Sequence, residues 1–230
     1  MTLSVAKSAS GGERALWMLA VIFIFLASVA GAEKQYVALT FDDGPHPFYT
    51  GKIIGILRSY DVHAAFFLVG KQAKQYPYLV KAIRDAGNEI GNHTYNHPRL
   101  IYLGDEEVKK EIETNNELLK SITGQEVKYF RPPGGRYYFS TLKILRDMEI
   151  ILWTINTDDI YKSADRIYED SVEAVDGDII LLHSGVPQTI EALPRILKYF
   201  SSHNIKPVLI SELKDIRSRE SFNRRCPQGL

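Results

Sequence analysis

The chain has 230 residues, enough for one medium-sized domain with a substantial core. Its 28 basic residues balance 28 acidic residues, so the formal net charge is zero and no basic surface for nucleic acid is indicated. The apolar share of 45% is typical of a globular protein and argues against a disordered chain.

The first 32 residues have the pattern of an export signal. Lys7 and Arg14 precede an apolar run over residues 15–30, and the small residues Ala30-Gly31-Ala32 follow. This order predicts export with cleavage after residue 32. The run is shorter than the roughly 20 residues that a spanning helix needs, but retention as an N-terminal membrane anchor stays open. We therefore expect the protein to act outside the cell or in its envelope.

Beyond residue 32, short apolar segments alternate with helical patterns. The candidate strands, which are rich in Val, Ile and Phe, are 36–41, 63–69, 88–92, 127–131, 150–156, 178–183 and 206–211. The candidate helices are 50–60, 75–87, 105–122, 140–148 and 189–200. This alternation predicts a parallel sheet, either closed as a barrel or open and doubly wound.

One catalytic domain is expected over residues 33–216, followed by a polar tail over 217–230, since no linker or repeat divides the chain. The only cysteine, Cys226, lies in that tail. A single cysteine forms neither an internal disulfide nor a thiolate zinc cage, so any metal site must use histidines and carboxylates.

Polar side chains follow most of the predicted strands. They are Asp42-Asp43, His93 to His97, Arg131 to Gly135, Asn156 to Asp159, and His183. Ligands bind at the carboxyl ends of parallel strands, both in barrels and in open sheets. The convergence of these groups on one end of the domain is the main functional signal.

Each of these motifs also has a plain structural interpretation. Asp42-Asp43 before Gly44-Pro45 is ordinary turn chemistry, and a lone histidine such as His183 after a buried strand is more often structural than catalytic. The i,i+4 pair His93 and His97 suits a first-row divalent ion but needs a third ligand, for which the two acids are the best candidates. Two imidazoles and one carboxylate describe a catalytic metal site rather than a closed structural one.

Five motifs resemble those of the polysaccharide deacetylases, the NodB-homology enzymes of carbohydrate esterase family 4. They are TFDDGP (40–45), HTYNH (93–97), RPPGG (131–135), WTINTDD (153–159) and LLH (181–183), and the resemblance extends from about Tyr36 to Ser211. It implies a distorted (β/α) barrel of about seven parallel strands. It also implies a metal-dependent hydrolase that removes acetyl groups from N-acetylated sugars or, less often, from O-acetylated ones.

The resemblance also implies roles for individual residues. Asp43, His93 and His97 would bind the metal, with Zn²⁺ as the first choice and Co²⁺ or Mn²⁺ as alternatives. Asp42 would be the general base that activates the attacking water, Arg131 would orient Asp42 and hold it ionised, and His183 would be the general acid. The substrate-binding positions would be Pro132, Pro133, Gly134 and Leu181, with the backbone N–H of Gly134 in the oxyanion hole.

Three positions depart from the family pattern. Gly134 stands where an aromatic side chain is common, and Ile160 replaces a tryptophan. Asn156 stands where we expect the acid that pairs with the catalytic histidine, so we expect a lower pKa for His183 than in typical members. Asp158 is the alternative charge partner.

The leading hypothesis is an exported N-deacetylase of amino-sugar polymers, with peptidoglycan as the first candidate substrate and chitin oligomers as the next. The alternatives are a catalytically weakened glycan-binding protein of the same fold, an O-acetyl xylan esterase, and a metallohydrolase of small amides. The expected partners are the glycan substrate and, through residues 15–30, a membrane, whereas no nucleic acid is expected. We expect a monomer.

Overall fold

The computed structural model describes residues 34–225, in which eight strands and eight α-helices alternate along the chain. The strands are β1 (Gln35–Gly44), β2 (Ala65–Leu68), β3 (Glu89–Asn92), β4 (Tyr129–Phe130), β5 (Glu149–Ile150), β6 (Ile155–Asn156), β7 (Ile179–His183) and β8 (Ile205–Pro207). The helices are α1 (Thr50–Ser59), α2 (Gly70–Gln75), α3 (Pro77–Asp85), α4 (Asp105–Thr123), α5 (Phe139–Leu145), α6 (Ala164–Val172), α7 (Pro187–Ser202) and α8 (Ile210–Arg225). Short 3-10 turns occupy Leu100–Tyr102 and Pro133–Gly135.

The strands form one parallel sheet in the order β5-β4-β3-β2-β1-β7-β6. The eighth strand, β8, pairs with the first residues of β1, while β7 pairs with the following residues of the same strand. This path curls into a distorted half-barrel with β5 and β6 at its two ends. The predicted fold class is therefore confirmed, and the carboxyl ends of the strands lie together at one end of the sheet.

Alternate residues of β1 face two different parts of the core, as the pleat requires. Val37, Leu39 and Phe41 belong to the larger cluster, which includes the apolar residues of α1, α3 and α7. Ala38 faces the other way, into a cluster to which α8 contributes Leu213. The inner face of the barrel is thus filled by apolar side chains at the end opposite to the polar loops.

Helix α4 agrees with its sequence pattern. Three acids occupy its first turn, where their negative charges interact favourably with the positive end of the helix dipole. The Glu107 carboxylate accepts a hydrogen bond from the Gly104 N–H at 3.0 Å, and Gly124 ends the helix with a φ of 71°. Its buried residues Val108 and Ile112 pack with Phe130 of β4.

The structure differs from the sequence prediction in three segments of the sheet and its flanking helices. The predicted strand 206–211 is β8 only to Pro207, and α8 begins at Ile210. The apolar run 150–156 is two strands, β5 and β6, instead of one. The predicted helix 75–87 begins earlier as α2 and restarts as α3 with Pro77 in its first turn, where the missing N–H of proline costs nothing.

The predictions for the two ends of the chain can be compared with the structure only at the C-terminal side. Residues 1–32, expected to be an export signal or anchor, lie outside the described residues. Helix α8 crosses the expected boundary between domain and tail at residue 216 and continues to Arg225. Within residues 34–225, no helix is both long enough and apolar enough to cross a membrane.

Gly91 of β3 provides a test of how tightly the inner face is packed. A Cβ at this position would lie 2.4 Å from a ring carbon of Phe67, which is fully buried. We expect Gly91→Ala to lower the free energy of unfolding by about 1–3 kcal/mol because the ring must shift within a close-packed core. Urea denaturation of the two proteins measures the change.

Gly55→Ala is the matched control, since a Cβ at Gly55 of α1 meets nothing within 4 Å. In a helix interior this change is expected to stabilise the protein by about 0.5–1 kcal/mol. Equal effects of the two substitutions would contradict the packing argument.

Candidate active site

The pleat of two neighbouring strands places Asp42 opposite His183. In the register of β1 and β7, Thr40 pairs with Leu181 and Asp42 pairs with His183. Asp42 lies on the same face of β1 as Ala38, which faces the inner cluster. The predicted base and the predicted acid are therefore neighbours at the open end of the barrel.

Arg131 follows β4, and its side chain is fully buried inside the barrel. Its Nη1 donates to Asp42 Oδ1 at 2.8 Å and to Thr40 Oγ1 at 2.8 Å. Its Nε donates to the Ile151 carbonyl at 2.9 Å, and Nη2 donates to the Leu152 carbonyl at 3.1 Å. This set of bonds fixes the plane of the Asp42 carboxylate and leaves Oδ2 for other contacts.

The guanidinium also lies against aromatic rings. Its carbon is 4.1 Å from the centroid of Phe67 and 5.7 Å from that of Trp153. Burial lowers the pKa of Arg131, and the neighbouring Asp42 carboxylate opposes that effect. Because an arginine keeps its proton under these conditions, the site contains a buried fixed cation paired with Asp42.

Asp43, His93 and His97 converge on one point beside this pair. One ligand atom from each of the three residues lies within 4.8 Å of the others. Asp43 Oδ1 is 3.0 Å from His97 Nε2 and 3.4 Å from His93 Nε2. The same buried oxygen has no hydrogen-bond partner of acceptable geometry among the described residues.

His93 is held in one tautomer by the backbone. Its Nδ1 is 2.7 Å from the Arg131 carbonyl, an acceptor, so Nδ1 carries the proton and Nε2 presents its lone pair. Nε2 is the atom that points towards Asp43 and lies 3.7 Å from Asp42 Oδ2. An orphan carboxylate oxygen and an oriented imidazole nitrogen are the features expected of a divalent-metal site, so these residues fit such an ion.

The charges within the cluster reinforce one another. Burial opposes ionisation of Asp43, but the adjacent imidazoles of His93 and His97 outweigh it and hold the pKa of Asp43 well below its usual value. The Asp43 carboxylate in turn raises the pKa of His97 above 6.5, although burial acts in the opposite direction. Metal binding would therefore compete with protons for His97, and the site should weaken in acid.

Three residues of the two ligand loops adopt left-handed backbone conformations. Asp43 has a φ of 61°, Thr94 of 65° and His97 of 63°. Such conformations cost about 1–3 kcal/mol each for non-glycine residues and persist only where surrounding contacts impose them. The β-branched Thr94 is the least expected of the three.

His183 pairs with Asp159, which corrects our expectation for Asn156. Its Nδ1 is 2.6 Å from Asp159 Oδ1, and its backbone N–H donates to Asp159 Oδ2 at 2.7 Å. Thr189 Oγ1 donates to Oδ2 of the same carboxylate at 2.5 Å. Asp159 is fully buried, so the charge partner of His183 is intact.

Asn156, the last residue of β6, hydrogen-bonds to Asp158. Its amide donates to Asp158 Oδ1 at 2.7 Å and accepts from the Asp158 N–H at 3.1 Å. Burial by itself would lower the pKa of His183, but the hydrogen bond and charge of Asp159 outweigh it and raise that pKa above 6.5. The reason for expecting a lowered pKa was wrong, because Asp159, three residues further on, supplies the charge that Asn156 lacks.

Three of the predicted substrate-binding residues follow Arg131 in the chain, and the fourth, Leu181, lies on β7. Pro132 and Pro133 are buried, whereas Gly134 is exposed with a φ of 67° and open space where a Cβ would be. Leu181 lies two residues before His183 on the same face of β7, and its carbonyl accepts from Thr157 Oγ1 at 2.7 Å. Ile160 is 52% exposed, so it forms no part of the core. Substrate contacts of these residues stay a prediction.

Removal of the Asp159 charge should lower the pKa of His183. We expect the His183 pKa of Asp159→Asn to fall below that of the wild type, because the stabilised imidazolium loses its counter-charge while burial remains. An NMR titration of the imidazole resonances measures this pKa in each protein.

Asn156→Asp is the matched control because it adds a charge in the exposed loop without touching His183. Its His183 pKa should stay close to the wild-type value. A large rise in Asn156→Asp together with no change in Asp159→Asn would restore the original assignment of the pairing residue.

Comparisons with known proteins identify the family of the chain. A family model described as polysaccharide deacetylase matches residues 30–153. A peptidoglycan-N-acetylglucosamine deacetylase of Bacillus cereus is 34% identical over 189 residues, which cover 78% of this chain and 68% of that protein. The peptidoglycan-N-acetylmuramic acid deacetylase PdaC of Bacillus subtilis is 31% identical over 188 residues, or 81% of this chain. The aligned region spans only 40% of the length of that relative.

Solved structures share the fold as well. A structure of PdaC from Bacillus subtilis aligns with a TM-score of 0.79 and 29% identity, and covers 84% of this chain and 98% of that chain. A Bacillus anthracis protein described as a CE4 family pseudoenzyme aligns with a TM-score of 0.74 and 32% identity, covering 80% of this chain and 66% of that chain. The family model spans more than half of the 230 residues. The protein therefore belongs to the polysaccharide deacetylase family.

Proposed function

We propose that this protein is an exported, metal-dependent deacetylase that hydrolyses N-acetyl groups of an amino-sugar polymer, with peptidoglycan as the first candidate and chitin oligomers as the second. The observation that carries the proposal is the pairing of Asp42 with Arg131 and of His183 with Asp159, on adjacent strands beside the Asp43–His93–His97 cluster. Amide hydrolysis needs a base for water, an acid for the departing nitrogen and an electrophile for the carbonyl.

Asp42 has the position and contacts of the base. Arg131 occupies Oδ1, so Oδ2 is the oxygen that accepts the proton of the attacking water. Oδ2 faces the ligand cluster, as its 3.7 Å separation from His93 Nε2 indicates. Because Asp42 is 3% exposed, bulk water does not compete freely for its carboxylate.

His183 has the position and protonation of the acid. Its Nδ1 proton is committed to Asp159, which leaves Nε2 to deliver a proton to the leaving amine. The raised pKa of His183 keeps the imidazolium populated closer to neutrality, where the acid form is needed. The alkaline limit of activity should therefore follow the His183 pKa.

Asp43, His93 and His97 would hold the divalent cation, with Zn²⁺ as the first choice and Co²⁺ or Mn²⁺ as alternatives. When bound, the cation supplies Lewis acidity that polarises the acetyl carbonyl and stabilises the negative charge developing on its oxygen. The chain itself contributes the orientation of the ligands and the proton transfers.

Acetate release tests the function directly. We expect the wild type to release acetate from peptidoglycan or from N-acetylglucosamine oligomers, and Asp42→Asn to lower kcat by about 10²–10⁴-fold because proton abstraction is lost. A chelator should abolish the activity, and added Zn²⁺ should restore it.

Asn156→Asp serves as the control, since Asn156 lies outside the acid–base pairs. Its rate should stay within a few-fold of the wild type. Wild-type protein that releases no acetate from any of these glycans but retains them on a column would favour the weakened glycan-binding protein. Release from acetylated xylan alone would favour the esterase.

Export is tested by the fate of the N-terminus. If the leader is cleaved after Ala32, the mass of the mature protein corresponds to a chain that begins at Glu33. If it is retained as an anchor, the full-length chain is found in the membrane fraction. A full-length chain in the soluble cytoplasmic fraction would contradict export.

A further inference from the structure

The junction between β2 and α2 is hydrogen-bonded to both loops that carry the metal ligands. Val69 N–H donates to the Gly44 carbonyl at 2.8 Å, next to Asp43. The following two N–H groups, of Gly70 and Lys71, donate to the carbonyls of Thr94 and Tyr95 at 3.0 and 2.9 Å. Both of these acceptors lie between His93 and His97, so one short segment contacts the backbone of both loops.

Gln72 adds a side-chain contact on the Asp43 side. Its amide nitrogen faces two backbone carbonyls and donates to Asp43 O at 2.5 Å and to Gly44 O at 3.1 Å. This orientation of the amide follows from its surroundings, because both neighbouring groups are acceptors. The Asp43–Gly44 and Gly44–Pro45 peptide units are thereby hydrogen-bonded to α2.

Asn115 adds the corresponding contact on the histidine side. This residue of α4 is fully buried, and its Nδ2 lies 3.0 Å from the Thr94 carbonyl, 2.9 Å from Asn92 Oδ1 and 2.9 Å from the Leu68 carbonyl. Asn92 Oδ1 in turn accepts from the Thr94 N–H at 2.7 Å. One amide therefore connects the end of β2 with the loop after β3.

The close approach of these elements depends on Gly70. A Cβ at Gly70 would lie 2.4 Å from the Tyr95 ring, 2.8 Å from Asn115 Oδ1 and 2.9 Å from Tyr95 Cα. There is thus no room for a side chain at Gly70, where α2, α4 and the His93–His97 loop meet. Contacts of this density can hold Asp43, Thr94 and His97 in their left-handed conformations.

We propose that Gln72 and Asn115 are positioning residues that set the spacing of the Asp43 loop relative to the His93–His97 loop, and thereby the affinity of the site for a divalent cation. Neither side chain is a ligand, since Gln72 acts through the Asp43 and Gly44 carbonyls and Asn115 through the Thr94 carbonyl. The inference rests on the proposed metal-dependent function. Outer contacts of this kind typically change metal affinity by 10- to 100-fold when they are removed.

The test compares two glutamines of the same helix. Gln72→Met removes the donor while keeping the length and helix propensity of the side chain, and Gln75→Met makes the same change at an exposed position. The full-length chain, purified in mild detergent and stripped with a chelator, is titrated with Zn²⁺ by calorimetry. We expect Gln72→Met to bind Zn²⁺ about 10-fold more weakly than the wild type and Gln75→Met to bind within about twofold of it.

Spectroscopy of the Co²⁺-loaded proteins provides a second measurement that a purely structural role would not change. The visible spectrum of bound Co²⁺ depends on ligand geometry, so it should shift in Gln72→Met and not in Gln75→Met. Asn115→Asp, which loses the amide donor inside the core, should weaken Zn²⁺ binding in the same direction. If that variant does not fold, the two glutamine variants decide the question alone.

The outcomes separate this inference from the function on which it rests. A folded Gln72→Met protein with wild-type Zn²⁺ affinity and an unchanged Co²⁺ spectrum would overturn the role of Gln72. Weaker binding in Gln72→Met supports it even if the wild type releases no acetate, in which case the deacetylase proposal fails by itself. A wild type that binds no Zn²⁺ would overturn both.

Discussion

The buried guanidinium of Arg131 is the constraint on which the rest of the site depends. An unpaired charge in a protein interior costs several kcal/mol, so its neighbours must supply acceptors in fixed places. They include Thr40 and Asp42 on β1 and two carbonyls beyond β5. The carbonyl of Arg131 itself accepts the His93 Nδ1–H. One residue therefore joins the two sides of the sheet, orients the base and sets the tautomer of a metal ligand.

The same constraint explains one segment in which the sequence prediction of the fold was wrong. Helix 105–122 and the first strand were predicted within a few residues because local periodicity and capping determine them. The run 150–156 reads as one apolar strand but is divided into β5 and β6. Between them, Ile151 and Leu152 turn their carbonyls to Arg131 instead of to a neighbouring strand. These hydrogen bonds are made by Arg131, which lies twenty positions before Ile151 in the chain, so the local sequence pattern does not predict them.

The residues of the candidate site also fall into those that the sequence predicts and those that it does not. The carboxyl ends of parallel strands must meet, so strand-end polar residues such as Asp43 and His93 could be collected from the sequence alone. The partner of His183 could not, because Asn156 at the end of β6 and the next two polar candidates, Asp158 and Asp159, lie within four residues, and only the turn of the backbone decides which side chain points inward. Asp158 has a φ of 48° and bonds with Asn156, which leaves Asp159 to face His183. Gln72 and Asn115 carry no motif either, since polar residues on helices are common.

The left-handed conformation of Asp43 has a consequence for which amino acids position 43 can accept. In a regular strand Asp42 and Asp43 would point to opposite faces, so the turn of the backbone at Asp43 is what brings both carboxylates to one side. Among residues with an anionic side chain, aspartate tolerates this conformation better because its short side chain bonds locally. Glutamate offers the same charge to a cation but adopts the left-handed backbone conformation less readily. Two requirements therefore favour aspartate at position 43, namely a carboxylate that can bind a cation and a side chain that is compatible with a left-handed backbone.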